Sequence, residues 1–379
     1  MSRSGASGPL AGVRVLEFAG IGPGRYAAML FSDMGADVVR IDRAGQAPYP
    51  PIDIATRGRA LMELDLRNPD DLAVCREAAG LADVLIDPYR PGVMERLGLG
   101  PEPLLERNPR LIYGRMTGWG QEGPLSATAG HDINYIALTG ALAAMGPADR
   151  PPPPPLNLVG DYGGGALFLV FGIVAALYER ERSGRGQVVD AAIVDGTASM
   201  MTLFYSLSAL NPRAMERGRG GLAGGLPNYR CYECSDGRFV AVGCLEDRFH
   251  AQLLAKLGSP YSLPADPADA ERNAELLAAV FRTRTRDEWA STFEDTDACV
   301  TPVLDLAEAA AHPHMSARAA HVTVEGQTQP APAPRLSRTP GRIQGPAARR
   351  NEGGRQRIET WRGAAAAAAA PPQIEMSRN

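Results

Sequence analysis

The first third of the chain alternates between two hydrophobic periods. VRVLEFA (13–19) is a branched, apolar run of strand type, followed by GIGPG (20–24) and then by RYAAMLFSDMG, whose apolar positions recur at helical spacing. ADVVRID (36–42) reads as a second strand, ADVLID (82–87) as a third and RLIYGRMTG (110–118) as a fourth. Strands separated by helical stretches imply a parallel sheet covered by helices, an α/β fold.

Further along, two longer helices are expected around 131–146 and 166–182, on either side of the rigid PPPPP at 151–155, and QVVDAAIV (187–194) reads as another strand. NPRAMERGRGGLAGGLPN (211–228) is glycine-rich and reads as a linker. RCYECSDGRFVAVGCL (230–245) has hairpin character with SDG as its turn, and helical pieces continue to about 310, giving a second α+β unit. QTQPAPAPRLSRTPGR (327–342) is an extended, proline-rich return; the alanines at 364–370 and the final PPQIEMSRN read as a disordered tail. The most apolar stretch, ALFLVFGIVAALYER (166–180), is too short for a membrane span and reads as a buried helix.

Composition narrows the function. A net charge of −4 argues against nucleic acid as the main partner, because phosphate backbones need a strongly basic face. Five cysteines are too few for a disulfide scaffold, and with no signal-like apolar run at the N-terminus the expected setting is cytoplasmic. Lys256 is the only lysine, and it sits in a helical stretch as a solvated charge; Schiff-base, pyridoxal-phosphate and P-loop chemistry all need a placed lysine.

The remaining motifs divide into weak and strong signals. GIGPG resembles a dinucleotide fingerprint with Asp42 downstream, but Arg25 replaces the third glycine and Pro23 interrupts the turn, so a tight strand-to-helix turn is the better reading. Cys231 and Cys234 form a lone CxxC at a strand edge, and His312 with His314 fit a helix start better than a metal site; no metal is assigned. His131 and Asp132 in GHDINY begin a helix, where exposed N–H groups favour a neutral imidazole able to accept a proton. A capping or packed histidine fits equally well. Asp161 precedes three glycines and an apolar helix: it is either an N-cap or a functional carboxylate approached closely by a ligand. Glu246 alone is an ordinary strand-end carboxylate.

Together GADVVRIDR (35–43), YRPGVMERLGLGP (89–101), RMTGWGQEGP (115–124), GHDINY (130–135), NLVGDYGGG (157–165) and GQVVDAAIVDG (186–196) resemble the family III CoA-transferase superfamily (CaiB/BaiF), and within it the α-methylacyl-CoA racemases, from about residue 8 to 340. The resemblance implies that His131 and Asp161 are an acid/base pair, that Glu246 orients the histidine, and that Asp132 and the rest of GHDINY (Gly130, Ile133, Asn134, Tyr135) lie beside the thioester. It implies a CoA site at Arg43, at Leu64, Asp65, Leu66 and Arg67, at Tyr89 and Arg90, and at Arg96; Pro88 and the stretch 45–60 depart from the pattern. CoA is then part of the substrate, and no separate cofactor is needed. The implied architecture is a large Rossmann-like domain (1–195), a linker (196–228), a small α+β domain (229–312), a return linker (313–335), the C-terminal part of the large domain (336–362) and a disordered tail (363–379). Two such chains would interlock as a homodimer, with Glu246 meeting His131 across the interface.

The implied reaction is inversion of the carbon α to a thioester, removing a proton from one face and supplying one to the other. Two other functions stay open on the residues: a CoA transferase using Asp161 as nucleophile, and a non-catalytic CoA-binding protein. The histidine decides between racemase and transferase, since transfer needs no histidine proton carrier.

Overall fold

The computed structural model describes residues 7–45, 53–258, 269–347, 349 and 351–369. The chain divides into two compact units: residues 1–136, 156–199 and 319–379 form the first, and 137–155 with 200–318 the second.

The first unit is built on a six-stranded sheet of β1 (Arg14–Phe18), β2 (Asp37–Arg43), β3 (Ala60–Leu64), β4 (Val84–Asp87), β5 (Ile112–Thr117) and β6 (Val188–Ala192), in the order β3-β2-β1-β4-β5-β6. Every pairing is parallel. Helices cover both faces, so the central strands are apolar almost throughout: Val15, Leu16, Val84, Leu85 and Ile86 are all fully buried. One core packs Leu16, Val39, Leu85 and Tyr113 with the helix Pro69–Leu81 and with Ile358 and Trp361 from the C-terminal helix. The other packs Val15, Val38 and Ile86 with Phe31 of the helix Pro23–Asp33 and with Leu169 and Ile173 of the helix Phe168–Ser183.

Buried charge ties the lower-numbered strands together. Glu17 on β1 accepts from Arg40 of β2 at 2.8 Å and from Arg59 beside β3 at 2.6 Å, and all three side chains are essentially inaccessible. Arg57 pairs with Asp33 and donates to Gln329 Oε1 at 2.8 Å and to the Pro330 carbonyl at 2.7 Å, fastening the hairpin of β10 (His321–Val324) and β11 (Gln327–Pro330) to this unit. The divergent stretch 45–60 therefore contributes structural anchors through Arg57 and Arg59; its residues 46–52 lie outside the described residues.

The second unit carries an antiparallel sheet of β7 (Tyr229–Glu233), β8 (Phe239–Gly243) and β9 (Val300–Pro302), packed by Leu253, Leu277, Phe281, Trp289 and Phe293.

Several expectations are corrected. The strand Ala60–Leu64 escapes the sequence reading because ALMEL consists of helix formers, and its pairing with β2 overrides that preference. The helix expected over 131–146 is two, Asp132–Leu138 and Ala141–Ala144, divided at Gly140, whose φ is 83°. The supposed linker 196–228 begins with helical turns, including Thr202–Leu210, because that stretch is apolar and free of glycine and proline. The supposed return linker contains the β10–β11 hairpin. The expected disordered tail is helical through Ala369, because alanine is the best helix former and Trp361 anchors the helix; residues 370–379 lie outside the described residues. Finally, the apolar helix is longer than expected. Leu158–Ser183 is long and apolar enough by composition to cross a membrane. Only one face of it, including Leu169, Ile173 and Ala176, is buried, while Phe171 is 74% and Tyr178 69% exposed.

Candidate active site

In a sheet of this order the chain leaves β1 toward β2 and returns on the other side at β4, which opens a crevice at the carboxyl ends of β1 and β4. The loops after these strands meet there. A Cβ placed on Gly20 would lie 2.6 Å from the Pro88 ring, so only glycine fits. Gly22, with φ 74° and ψ −127°, makes the tight turn into the helix Pro23–Asp33. Its Cβ would lie 2.8 Å from Asp161 Oδ2. The approach to the backbone that a dinucleotide pyrophosphate would need is thus occupied by the Asp161 carboxylate.

Asp161 lies in the first turns of Leu158–Leu167, a π-type segment in which Tyr162 N–H donates to the carbonyl of Asn157, five residues back, at 3.1 Å. Two of the three glycines after it, Gly164 and Gly165, serve packing. A Cβ on Gly164 would lie 2.3 Å from Thr197 Oγ1, and one on Gly165 3.0 Å from Ile193, so the segment sits tightly on the helix Ile193–Met200. Tyr162 stacks on Tyr26 with ring centroids 4.2 Å apart, fixing the segment against the helix Pro23–Asp33.

The GHDINY residues meet this segment directly. His131 is exposed and precedes the helix Asp132–Leu138; its N–H donates to Asn134 Oδ1 at 3.1 Å, and its carbonyl accepts from Asn134 N–H at 2.8 Å. Asp132 Oδ1 accepts the Asp161 main-chain N–H at 2.6 Å. Tyr135 donates its hydroxyl to the Gly130 carbonyl and packs edge-on against Trp119 at 4.8 Å. Ile133 is exposed.

Burial pushes the Asp161 carboxyl up to about 6, and the nearby Asp132 charge adds to the effect; a hydrogen bond from Asn157 and the proximity of His131 oppose it. Asp161 therefore holds its proton more readily than an ordinary carboxyl, in electrostatic reach of His131. Asn157 and Trp119 were not singled out in the sequence. Asn157 could have been found from its place four residues before Asp161 in a helical segment.

Most of the residues expected to hold CoA fall at or just after the carboxyl ends of β2, β3 and β4. Arg43 ends β2, Leu64 ends β3 with Asp65 to Arg67 after it, and Tyr89 and Arg90 follow β4, with Arg96 ending the short helix Val93–Arg96. Arg43, Arg67, Arg90 and Arg96 are exposed. Leu64 is fully buried in the core, so its side chain cannot touch a ligand, and its carbonyl accepts from Ala44 N–H. Arg67 pairs with Asp65 at 2.9 Å, and this partner holds the Asp65 carboxyl down at about 2. Burial pushes the Tyr89 phenol up to about 12.

Glu246 belongs to the second unit, where it is exposed and precedes the helix Asp247–Leu257 without capping it through its side chain. That unit encloses a cavity of about 760 Å³, and none of the residues singled out in the sequence lines it. Cys231 is exposed on β7 and Cys234 is buried, both free. His312 Nδ1 accepts from His314 N–H at 3.3 Å, capping the helix Pro313–Ala317.

Comparison with known proteins agrees with this geometry. The family model described as CoA-transferase family III matches residues 10–352. The chain is 46% identical over 335 residues to a mouse (Mus musculus) protein named alpha-methylacyl-CoA racemase, covering 87% of each. It is 42% identical over 339 residues to the human (Homo sapiens) protein of the same name, again covering 87% of each. A CaiB/BaiF family protein from Brucella suis has the same fold, with a TM-score of 0.80 over 94% of this chain and all of its own, at 24% identity. A match spanning the strands, the switch-point loops and both the His131 and Asp161 segments makes this chain a member of the CoA-transferase family III.

Proposed function

We propose that the protein is a racemase of 2-methyl-branched acyl-CoA thioesters, interconverting the 2R and 2S epimers by a two-base transfer of a proton through an enolate. The observation that carries this reading is the hydrogen bond from the Asp161 main-chain N–H to Asp132 Oδ1, which brings the His131 and Asp161 segments together at the switch point. The likeness to the mouse and human racemases supports it.

In one direction neutral His131 removes the C2 proton. The C–H electron pair moves into the enolate, whose charge rests on the thioester oxygen, and protonated Asp161 supplies a proton to the opposite face. The C–H bond re-forms with inverted configuration, and the reverse reaction exchanges the two roles. Burial raises the proton affinity of Asp161 above that of an ordinary carboxyl, as suits a group that must donate as well as accept. A transferase nucleophile needs no second proton carrier, whereas inversion at C2 does, and His131 stands beside the Asp161 segment for that role.

This chemistry calls on no metal or redox cofactor. Exposed Arg43, Arg90 and Arg96 have the fork geometry that binds phosphate, so the CoA moiety would lie along the carboxyl ends of β2 to β4. The proposal includes a homodimer: Leu167, Phe171, Val174 and Tyr178 form an exposed apolar stripe on one helix, suited to burial against a second copy. A cytoplasmic setting is in keeping with five free cysteines.

The test is incubation of one epimer of a 2-methylacyl-CoA in D₂O. Deuterium at C2 with loss of stereochemical purity is expected, and His131→Ala and Asp161→Ala should each abolish it. CoA transfer to an added carboxylate without exchange at C2 would overturn the proposal.

A further inference from the structure

Asp132 makes an unusual contact. Its Oδ1 takes the Asp161 main-chain N–H at 2.6 Å. Its Oδ2 is buried, with no hydrogen-bond partner among the described residues. Gly160 leaves this space open, since a Cβ there would lie 2.4 Å from Asp132 Oδ1. A carboxylate oxygen shut away from water without a donor is costly, and a structural role in holding one N–H would be met as well by asparagine or serine. What asparagine or serine would not supply is a second carboxyl group beside that of Asp161.

We infer that Asp132 is the positioning residue of the Asp161 proton carrier: one oxygen fixes the Asp161 backbone, and the carboxyl group held there adds a like-charge neighbour to the burial that Asp161 already experiences. The inference rests on the racemase reading for its consequence in turnover, and on the structure alone for its electrostatic part. The other polar groups around Asp161 do not duplicate the effect. Asn157 donates a hydrogen bond to it, and His131 favours its ionised form. The Tyr135 phenol, in reach of both Asp161 and Arg90, is bonded to the Gly130 carbonyl. Tyr162 and Tyr26 are stacked on one another, and the Gly22 turn brings no charge. Asp132 is the like charge in this set.

The test uses Asp132→Asn, which keeps an acceptor for the Asp161 N–H and removes the charge, with Asp132→Ser as a second uncharged variant should the first fail to fold. The full-length protein carrying ¹³C-labelled aspartate is titrated by NMR, with Asp161→Asn identifying the Asp161 signal. The Asp161 midpoint should fall by about one pH unit in the uncharged variants, the usual scale for loss of a neighbouring like charge. The acidic limb of the racemisation profile should fall by the same amount, with its alkaline limb unmoved. A merely structural residue would scale the profile without moving a limb. An Asp161 midpoint that stays in place or rises would overturn the inference. A midpoint that falls in a protein without racemase activity would leave the inference standing and remove the racemase reading.

Discussion

Replacing Gly22 with alanine probes the contact on which the site geometry turns. Gly22 adopts φ 74° and ψ −127°, a conformation costing a residue with a Cβ about 1–3 kcal/mol. The new methyl would also lie 2.8 Å from Asp161 Oδ2. To regain a contact of 3.4 Å, the carboxylate or the turn must move by about 0.6 Å. Displacements on the order of 1 Å at reacting groups cost roughly a hundredfold in rate, so Gly22→Ala should lose roughly ten- to a hundredfold in kcat while melting only a few degrees lower. Gly12→Ala is the control: Gly12 has φ +91° with nothing within 4 Å of its Cβ position, so it carries the backbone strain without the contact. Thermal unfolding and the deuterium-exchange assay on both variants separate the two costs. If Gly22→Ala loses no more activity than Gly12→Ala, Asp161 is not held by the switch-point turn.

Three further outcomes follow from the structure. Because the Asp161 carboxyl ionises near 6 in the fold and near 4 when unfolded, the native state binds the extra proton between those values and loses stability as pH rises through them. Asp161→Asn should therefore be inactive yet gain stability over wild type from about pH 4 to 6, with a constant gain above; calorimetry showing no pH dependence in the difference would refute this. Glu17→Gln deprives two buried guanidiniums, Arg40 and Arg59, of their shared carboxylate and should cost about 3–5 kcal/mol by chemical denaturation, whereas an exposed pair such as Arg110–Glu181 should cost less than about 1 kcal/mol. Phe171→Glu places a charge in the exposed stripe and should convert a dimer to monomer in sedimentation velocity; an unchanged mass would place the interface elsewhere.

The sequence by itself determined the α/β class, five of the six sheet strands, and the segments that carry His131 and Asp161. Those follow from local rules, since apolar period, glycine turns and helix starts are written in neighbouring residues. It could not yield the strand Ala60–Leu64, whose residues favour helix until β2 pairs with them. Nor could it show that Gly164 and Gly165, two of the three glycines after Asp161, make room for the helix Ile193–Met200. Only the tertiary structure decided that the turn at Gly22, the main chain of Asp161 and the carboxylate of Asp132 converge, because residues 22, 132 and 161 are brought together by sheet order. The raised proton affinity of Asp161 belongs to that same level. Burial and a like charge set it, and both come from residues distant in the chain.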